Sequence, residues 1–242
     1  MTPLSEANKS GALHRIQFIL LSALFLLLPL VYWPSANDFF KLPKFALFQT
    51  LSFAALAVCM LNAFFRKTYF SIFSRARSAL ILFLMYLFAC FISFFYAQSI
   101  AVALKDIIPV ASAFMLFAVL LTLDTASLNR LVFFALFSSA LAALTGILQH
   151  FEFDMTGISA ISGVPASFMA STLGHRNYLA ELLSMLMPVC FGYYRLTAVE
   201  KPPAGKAITL SIACLMFFAL LLTNSRSGLL SITLSTLFFC SS

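Results

Sequence analysis

The sequence predicts an all-α protein, a polytopic transmembrane helix bundle of about eight spans with the last one cut short, forming a single transmembrane domain over residues 1–242. Three observations point there. Of the 242 residues 62% are hydrophobic and 10% charged, whereas a soluble domain is nearer half apolar and a quarter charged. Such a chain cannot cover itself with polar groups in water, while lipid solvates apolar helices directly and asks only that backbone groups be paired internally. Apolar runs of roughly 17 to 21 residues recur along the chain, each long enough to cross the hydrocarbon core as a helix. The formal net charge of +7 is spread over the short loops between these runs instead of one basic face, so it reads as topology and not as a nucleic-acid surface.

The runs fall at about 16–33, 45–65, 78–97, 107–123, 131–149, 178–194 and 207–223. The first follows Lys9, His14 and Arg15; its apolar stretch exceeds that of a signal peptide and no small-x-small cleavage pattern follows, so an uncleaved helix is predicted. Pro43 keeps the second from starting earlier, and Lys44 heads it. The sixth opens from a small and polar approach and carries Glu181. An eighth begins near Gly228 and runs only to Cys240, short for a span. Cys59, Cys90, Cys190, Cys214 and Cys240 all lie in apolar runs, where they behave as small hydrophobes and imply no disulfide or zinc framework.

Orientation follows from the basic residues, because Lys and Arg near span ends stay on the cytoplasmic side. With the N-terminus inside, the inner set is Lys9, Arg15, Arg66, Lys67, Arg75, Arg77, Arg130, Arg195, Lys201 and Lys206, and the outer set is Lys41, Lys44, Lys105, Arg176 and Arg226. Ten stand against five. The loop 66–77 holds four of the ten and no acid. The longest loop, about 150–177, then lies outside with His150, Glu152, Asp154, His175 and Arg176.

Three outer segments carry the polar chemistry. Residues 37–44 read first as an interfacial anchor, with Trp33, Phe39 and Phe40 at headgroup depth and Lys41 and Lys44 snorkelling. Residues 171–181 approach the sixth span, with Ser171, Thr172 or Asn177 as candidate helix caps. Glu181 is costly inside an apolar span unless paired, and Arg176 is the partner in reach. His175 has no neighbouring His at metal-site spacing, so no metal is predicted. Residues 222–229 make a turn of Asn224, Ser225, Arg226 and Ser227, too short to carry Arg226 far from the membrane surface. Arg176 and Arg226, both at the heads of spans, can converge on one anionic group, since the guanidinium fork makes bidentate bonds to phosphate and stays charged. Snorkelling is the alternative for both.

The order of these motifs resembles the O-antigen ligase and polymerase superfamily of bacterial envelope glycosyltransferases, which includes protein O-oligosaccharyltransferases. The resemblance rests on residues 38–44 after the first span, on Gly146, Ile147, Leu148 and Gln149 closing the fifth, on residues 171–180 opening the sixth, and on residues 223–228. His175 and Arg176 stand where the family commonly has Asn and a variable residue, often Pro, a departure from its pattern. The resemblance implies transfer of a glycan from an undecaprenyl diphosphate carrier to an acceptor hydroxyl on the periplasmic face of the bacterial inner membrane, the acceptor being lipid A core, a growing polysaccharide or a protein. It implies no nucleotide, metal or other cofactor. It implies that Arg226 and Arg176 bind the lipid diphosphate, with His175, Asn177, Glu181, Ser225 and Lys105 in support. The family's base histidine lies in a later periplasmic loop, so the chain is expected to correspond to the N-terminal portion of such an enzyme. Two other classes compete: a transporter or flippase-like bundle, which would show internal repeats and mid-depth charges, and a non-catalytic membrane scaffold, in which the outer arginines are exchangeable.

Overall fold

The computed structural model describes residues 3–34, 38–66, 77–96, 99–154, 157, 169–197 and 203–241. Among these residues the chain is helical throughout, with no strand: α1 (Pro3–Leu27), α2 (Lys41–Arg66), α3 (Arg77–Phe94), α4 (Ile100–Leu120), α5 (Thr125–His150), a 3-10 turn (Ser171–Leu173), α6 (Arg176–Thr197), α7 (Pro203–Leu222) and α8 (Arg226–Ser241). Most of the loop 66–77, about half of the loop 150–177, Asn37 and Lys201 lie outside the described residues.

Three described segments are both long and apolar enough to cross a membrane, namely Lys41–Asn62, Thr125–His150 and Ala204–Leu222. That is fewer than the eight spans expected. Shorter apolar stretches occupy Gly11–Leu27, Leu80–Ser93 and Ile107–Leu120. Of the helices outside these three, α6 carries Asn177, Glu181 and Pro188, and α8 covers only 16 residues. Two helix ends also differ from expectation. The first helix stops at Leu27, before Trp33, because Pro29 has no amide to extend it; the turn closes instead through Leu30 and Val31 amides on the Leu27 carbonyl. The second starts at Lys41, ahead of Pro43, which occupies the first turn where a missing N–H does no harm. Asp38 caps it, Oδ1 accepting from the amides of Lys41 (2.9 Å) and Phe40 (3.2 Å).

The chain divides into two compact units, Met1–Leu24 with Phe45–Leu128, and Phe25–Lys44 with Asn129–Ser242. In the first, Phe83 stacks on Phe114 and Phe117, with centroids 5.3 and 5.7 Å away. Buried Gln17 on α1 donates from Nε2 to Thr122 Oγ1 (2.9 Å), and His14 Nε2 lies 3.6 Å from Asp124 Oδ1 just beyond α4. The start of α1 and the end of α4 therefore share one end of this unit.

The second unit holds the large apolar core, in which Leu136, Leu179, Leu183, Met187, Met216 and Leu220 are fully buried or nearly so. Small residues set its spacing: Ala142, Ala143 and Gly146 on α5 let neighbouring groups come close, as membrane helices require when lipid is as apolar as leucine. The α6 helix packs against both α7 and α8. At the latter contact Gly228 lies under Ala180, where an added Cβ would sit 3.0 Å from the Ala180 Cβ. Since Gly228 is the third residue of α8 and Ala180 the fifth of α6, the two helices begin at the same end.

Candidate functional site

That end of the second unit gathers the three polar segments that the sequence singles out, together with Gly146 and Gln149 at the close of the fifth run. The strap 169–175 is its centre. Ser171 is buried with φ +50, a left-handed conformation that a non-glycine residue adopts only when its surroundings hold it there. Here they do. Its amide donates to Gln149 Oε1 (2.6 Å), its hydroxyl to the Ala142 carbonyl (2.6 Å), and Thr145 Oγ1 lies 2.9 Å from Ser171 Oγ. Gln149 and Gly146, which close the fifth apolar run, are thus the floor under the strap, and Gly146 leaves room for Leu179. Buried Thr172 reaches the other way, its hydroxyl donating to the Pro29 carbonyl at 2.7 Å.

The segment 38–44 closes over the strap. Lys44, expected to snorkel into the interface, turns inward: its ammonium donates to the Thr172 carbonyl (2.9 Å) and to the Val31 carbonyl. An apolar pocket would repel that charge, but two carbonyl dipoles satisfy it. Phe40 covers Gly174, whose φ of +81 suits glycine and whose missing Cβ leaves the ring its place, 2.3 Å from where that Cβ would stand.

The strap delivers the chain into α6. His175 Nδ1 accepts the Asn177 amide at 3.1 Å, so the imidazole acts as the helix cap, the role expected of Ser171, Thr172 or Asn177. When neutral it then carries its proton on Nε2. The His175 ring lies 5.7 Å from that of Tyr178, and Lys41 Nζ stands 5.6 Å from the Tyr178 centroid. Asn177 is exposed beside them.

Arg176 is the first residue of α6 and Arg226 the first of α8; both are exposed, and their helices meet through Ala180 and Gly228 one turn in. The predicted pairing of Arg176 with Glu181 is not among the ion pairs of the described residues, where His14 with Asp124 is found. The reason is angular: five residues place the two side chains roughly 140° apart around the helix, whereas partners three or four apart share a face. Glu181 is exposed on its own side. Ser225, expected to support a ligand, is buried and its hydroxyl lies 3.1 Å from that of Ser227. Lys105 belongs to α4, with its side chain outside the described residues.

The electrostatics of this end are unusual in one respect. Three helices, α2, α6 and α8, begin here with Lys41 and Lys44, Arg176, and Arg226, and none has an acid in its first turn. The helix macrodipole puts partial positive charge at an N-terminus and disfavours a cation there. Asp38 already caps α2 with a carboxylate, so it is at the heads of α6 and α8 that dipoles and exposed cations together form a surface suited to an anion. The residues that build the platform, Lys44, Gln149, Thr172 and Gly174, are not among the predicted ligands, although all four lie in segments that carry the resemblance and Gln149 is a lone amide closing an apolar run. Among the described residues no three His, Cys, Asp or Glu gather as a metal set. No family model, curated protein or solved structure matches this chain.

Proposed function

We propose that this chain is a multi-pass protein of the bacterial inner membrane, N-terminus in the cytoplasm, whose Arg176 end faces the periplasm and receives an undecaprenyl-diphosphate-linked glycan donor. The reading is that of an O-antigen ligase-like glycosyltransferase, which passes the glycan to an acceptor hydroxyl on lipid A core, a polysaccharide or a protein. About eight apolar runs, with α1, α3, α4, α6 and α8 joining the three longest segments, supply the spans. Basic asymmetry supplies the orientation.

One observation carries the reading. Cations head helices that begin at the same end, against their own dipoles, and an anion held between them removes that conflict. A diphosphate at the membrane surface matches both the charge and the depth, because only three residues separate the end of α7 from Arg226 at the head of α8. Gly146 with Gln149, the strap, residues 38–44 and Gly228 are also the segments on which the family resemblance rests, and their gathering in one place supports it.

The test is binding of a photo-crosslinkable undecaprenyl diphosphate analogue to the purified chain in detergent at fixed ionic strength. Losing a charge-assisted contact to phosphate costs about 1.5 to 3 kcal/mol, so Arg226→Ala is expected to weaken binding roughly tenfold to a hundredfold. Arg226→Lys keeps the charge without the fork and falls between. Equal binding by folded wild type and Arg226→Ala would refute the site and leave Arg226 as an interfacial anchor.

A further inference from the structure

The cations at this end stand on a segment that is strained, buried and tied to three other elements. Met169 and Ser171 both have positive φ, 54 and 50, although neither is glycine, and Gly174 adds a third left-handed residue at 81. Each such non-glycine residue is strained and persists only where the surroundings over-determine it. The ties divide into two sets. From below, Gln149, Thr145 and the Ala142 carbonyl hold Ser171. From the side, the Pro29 carbonyl holds Thr172 through its hydroxyl, and Lys44 holds it through its carbonyl. Among these ties Lys44 alone is charged, and it reaches two chain segments at once, the turn after α1 at Val31 and the strap at Thr172.

We propose that Lys44 is the positioning residue of this site: by clamping Val31 and Thr172 together it fixes the strap, and so sets where the head of α6, with His175 and Arg176, stands. The proposal rests on the reading above only in the ligand it names. Thr172 is three residues before the His175 cap, and Gly174 between them is locked under Phe40, so slack at Thr172 passes to the cap and to the first turn of α6. A lysine pointing into lipid headgroups would do none of this, and its replacement would leave the strap unchanged.

The experiment compares wild type, Lys44→Met and Lys44→Arg as full chains in one detergent. Hydrogen exchange of residues 171–179 is read by mass spectrometry, and binding of farnesyl diphosphate, a short prenyl diphosphate, is measured on the same samples. Methionine keeps the bulk without the donors, so exchange over 171–179 is expected to quicken about tenfold to a hundredfold, with α5 and α7 unchanged. Farnesyl diphosphate binding should fall as far as in Arg176→Ala. Lys44→Arg, which still donates to two carbonyls, should restore both. Unchanged exchange in folded Lys44→Met overturns the proposal, as does faster exchange with wild-type binding. If wild type itself does not bind farnesyl diphosphate, the diphosphate reading fails, and the exchange contrast alone decides the clamp. Should Lys44→Met not fold, Lys44→Gln, a shorter neutral side chain that cannot span both carbonyls, decides instead: faster exchange over 171–179 is expected, and wild-type exchange in the folded variant overturns the clamp.

Discussion

The two units are built from the same apolar vocabulary and hold together differently. In the unit made of Met1–Leu24 and Phe45–Leu128, large side chains such as Phe53, Met60, Leu82, Met85 and Phe88 point outward, and the contacts are ring stacks around Phe83 with a small polar cluster at Gln17 and Thr122. In the unit made of Phe25–Lys44 and Asn129–Ser242, alanines and glycines bring backbones together and hydroxyls, an amide and an ammonium bond to carbonyls. Aromatic stacking tolerates shifts of the rings, because dispersion is gained over many weak contacts. A buried polar network does not, since each partner lost leaves a group unsatisfied. The difference teaches where geometry is specified: the first unit needs only to stay apolar, while the second must keep particular atoms in place.

Glycines give the largest contrast. Gly174→Ala must place a Cβ against Phe40 and hold alanine at positive φ, so we expect a loss of about 3 kcal/mol or more, read as the thermal midpoint by size-exclusion chromatography in detergent. Gly11, on α1 with nothing within 4 Å of its Cβ position, should gain about 0.5 to 1 kcal/mol as alanine. Similar losses at the two sites would erase the distinction between the units.

Polar substitutions sharpen it at intermediate size. Gln149→Leu strands the buried Ser171 amide and should cost about 1 to 3 kcal/mol in the same assay. Thr122→Val, in the first unit, removes one acceptor of Gln17 but leaves the Val119 carbonyl 3.5 Å away, so the expected loss is about 1 kcal/mol. A larger effect at Thr122 would mean that the first unit, too, depends on its polar atoms.

The smallest effect is expected at Asp124, outside the apolar helices. Its hydrogen bond with Ser127, which caps α5, holds its carboxyl below the usual range, and His14 adds a lesser attraction. A depressed value stabilises the fold at pH above the ordinary carboxylate range, and this contribution vanishes as the pH falls through the depressed value. The thermal midpoints of wild type and Asp124→Ala should therefore differ slightly near neutrality and converge in acid. Because Asp124 is exposed, the gap should be small.

Much of this can be read from the sequence, and the limits have physical causes. Helical class and the three polar segments follow from apolar run length and from where polar residues interrupt it. The helix starts at Lys41 and Arg176 do not, because they depend on caps from Asp38 and His175 that compete with Pro43, Ser171 and Asn177. Lys44 is visible as a charge at a helix head, yet its acceptors are backbone carbonyls 13 and 128 residues away, and a carbonyl has no signature in a sequence. Arg176 and Glu181 illustrate the opposite error: nearness along the chain suggested a pair that helical angle does not provide.

The Lys44 clamp also imposes an order on synthesis. Thr172 follows Lys44 by 128 residues, and at usual elongation rates the ribosome needs roughly 6 to 26 seconds to supply it. During that interval α1 and α2 exist without the strap, and the Lys44 ammonium has only the Val31 carbonyl beside it. A lysine at a helix head in that state can reach water and lipid phosphates. Burial of the charge comes later, when the strap arrives, so an ammonium that first meets solvent is the one that afterwards fastens this end.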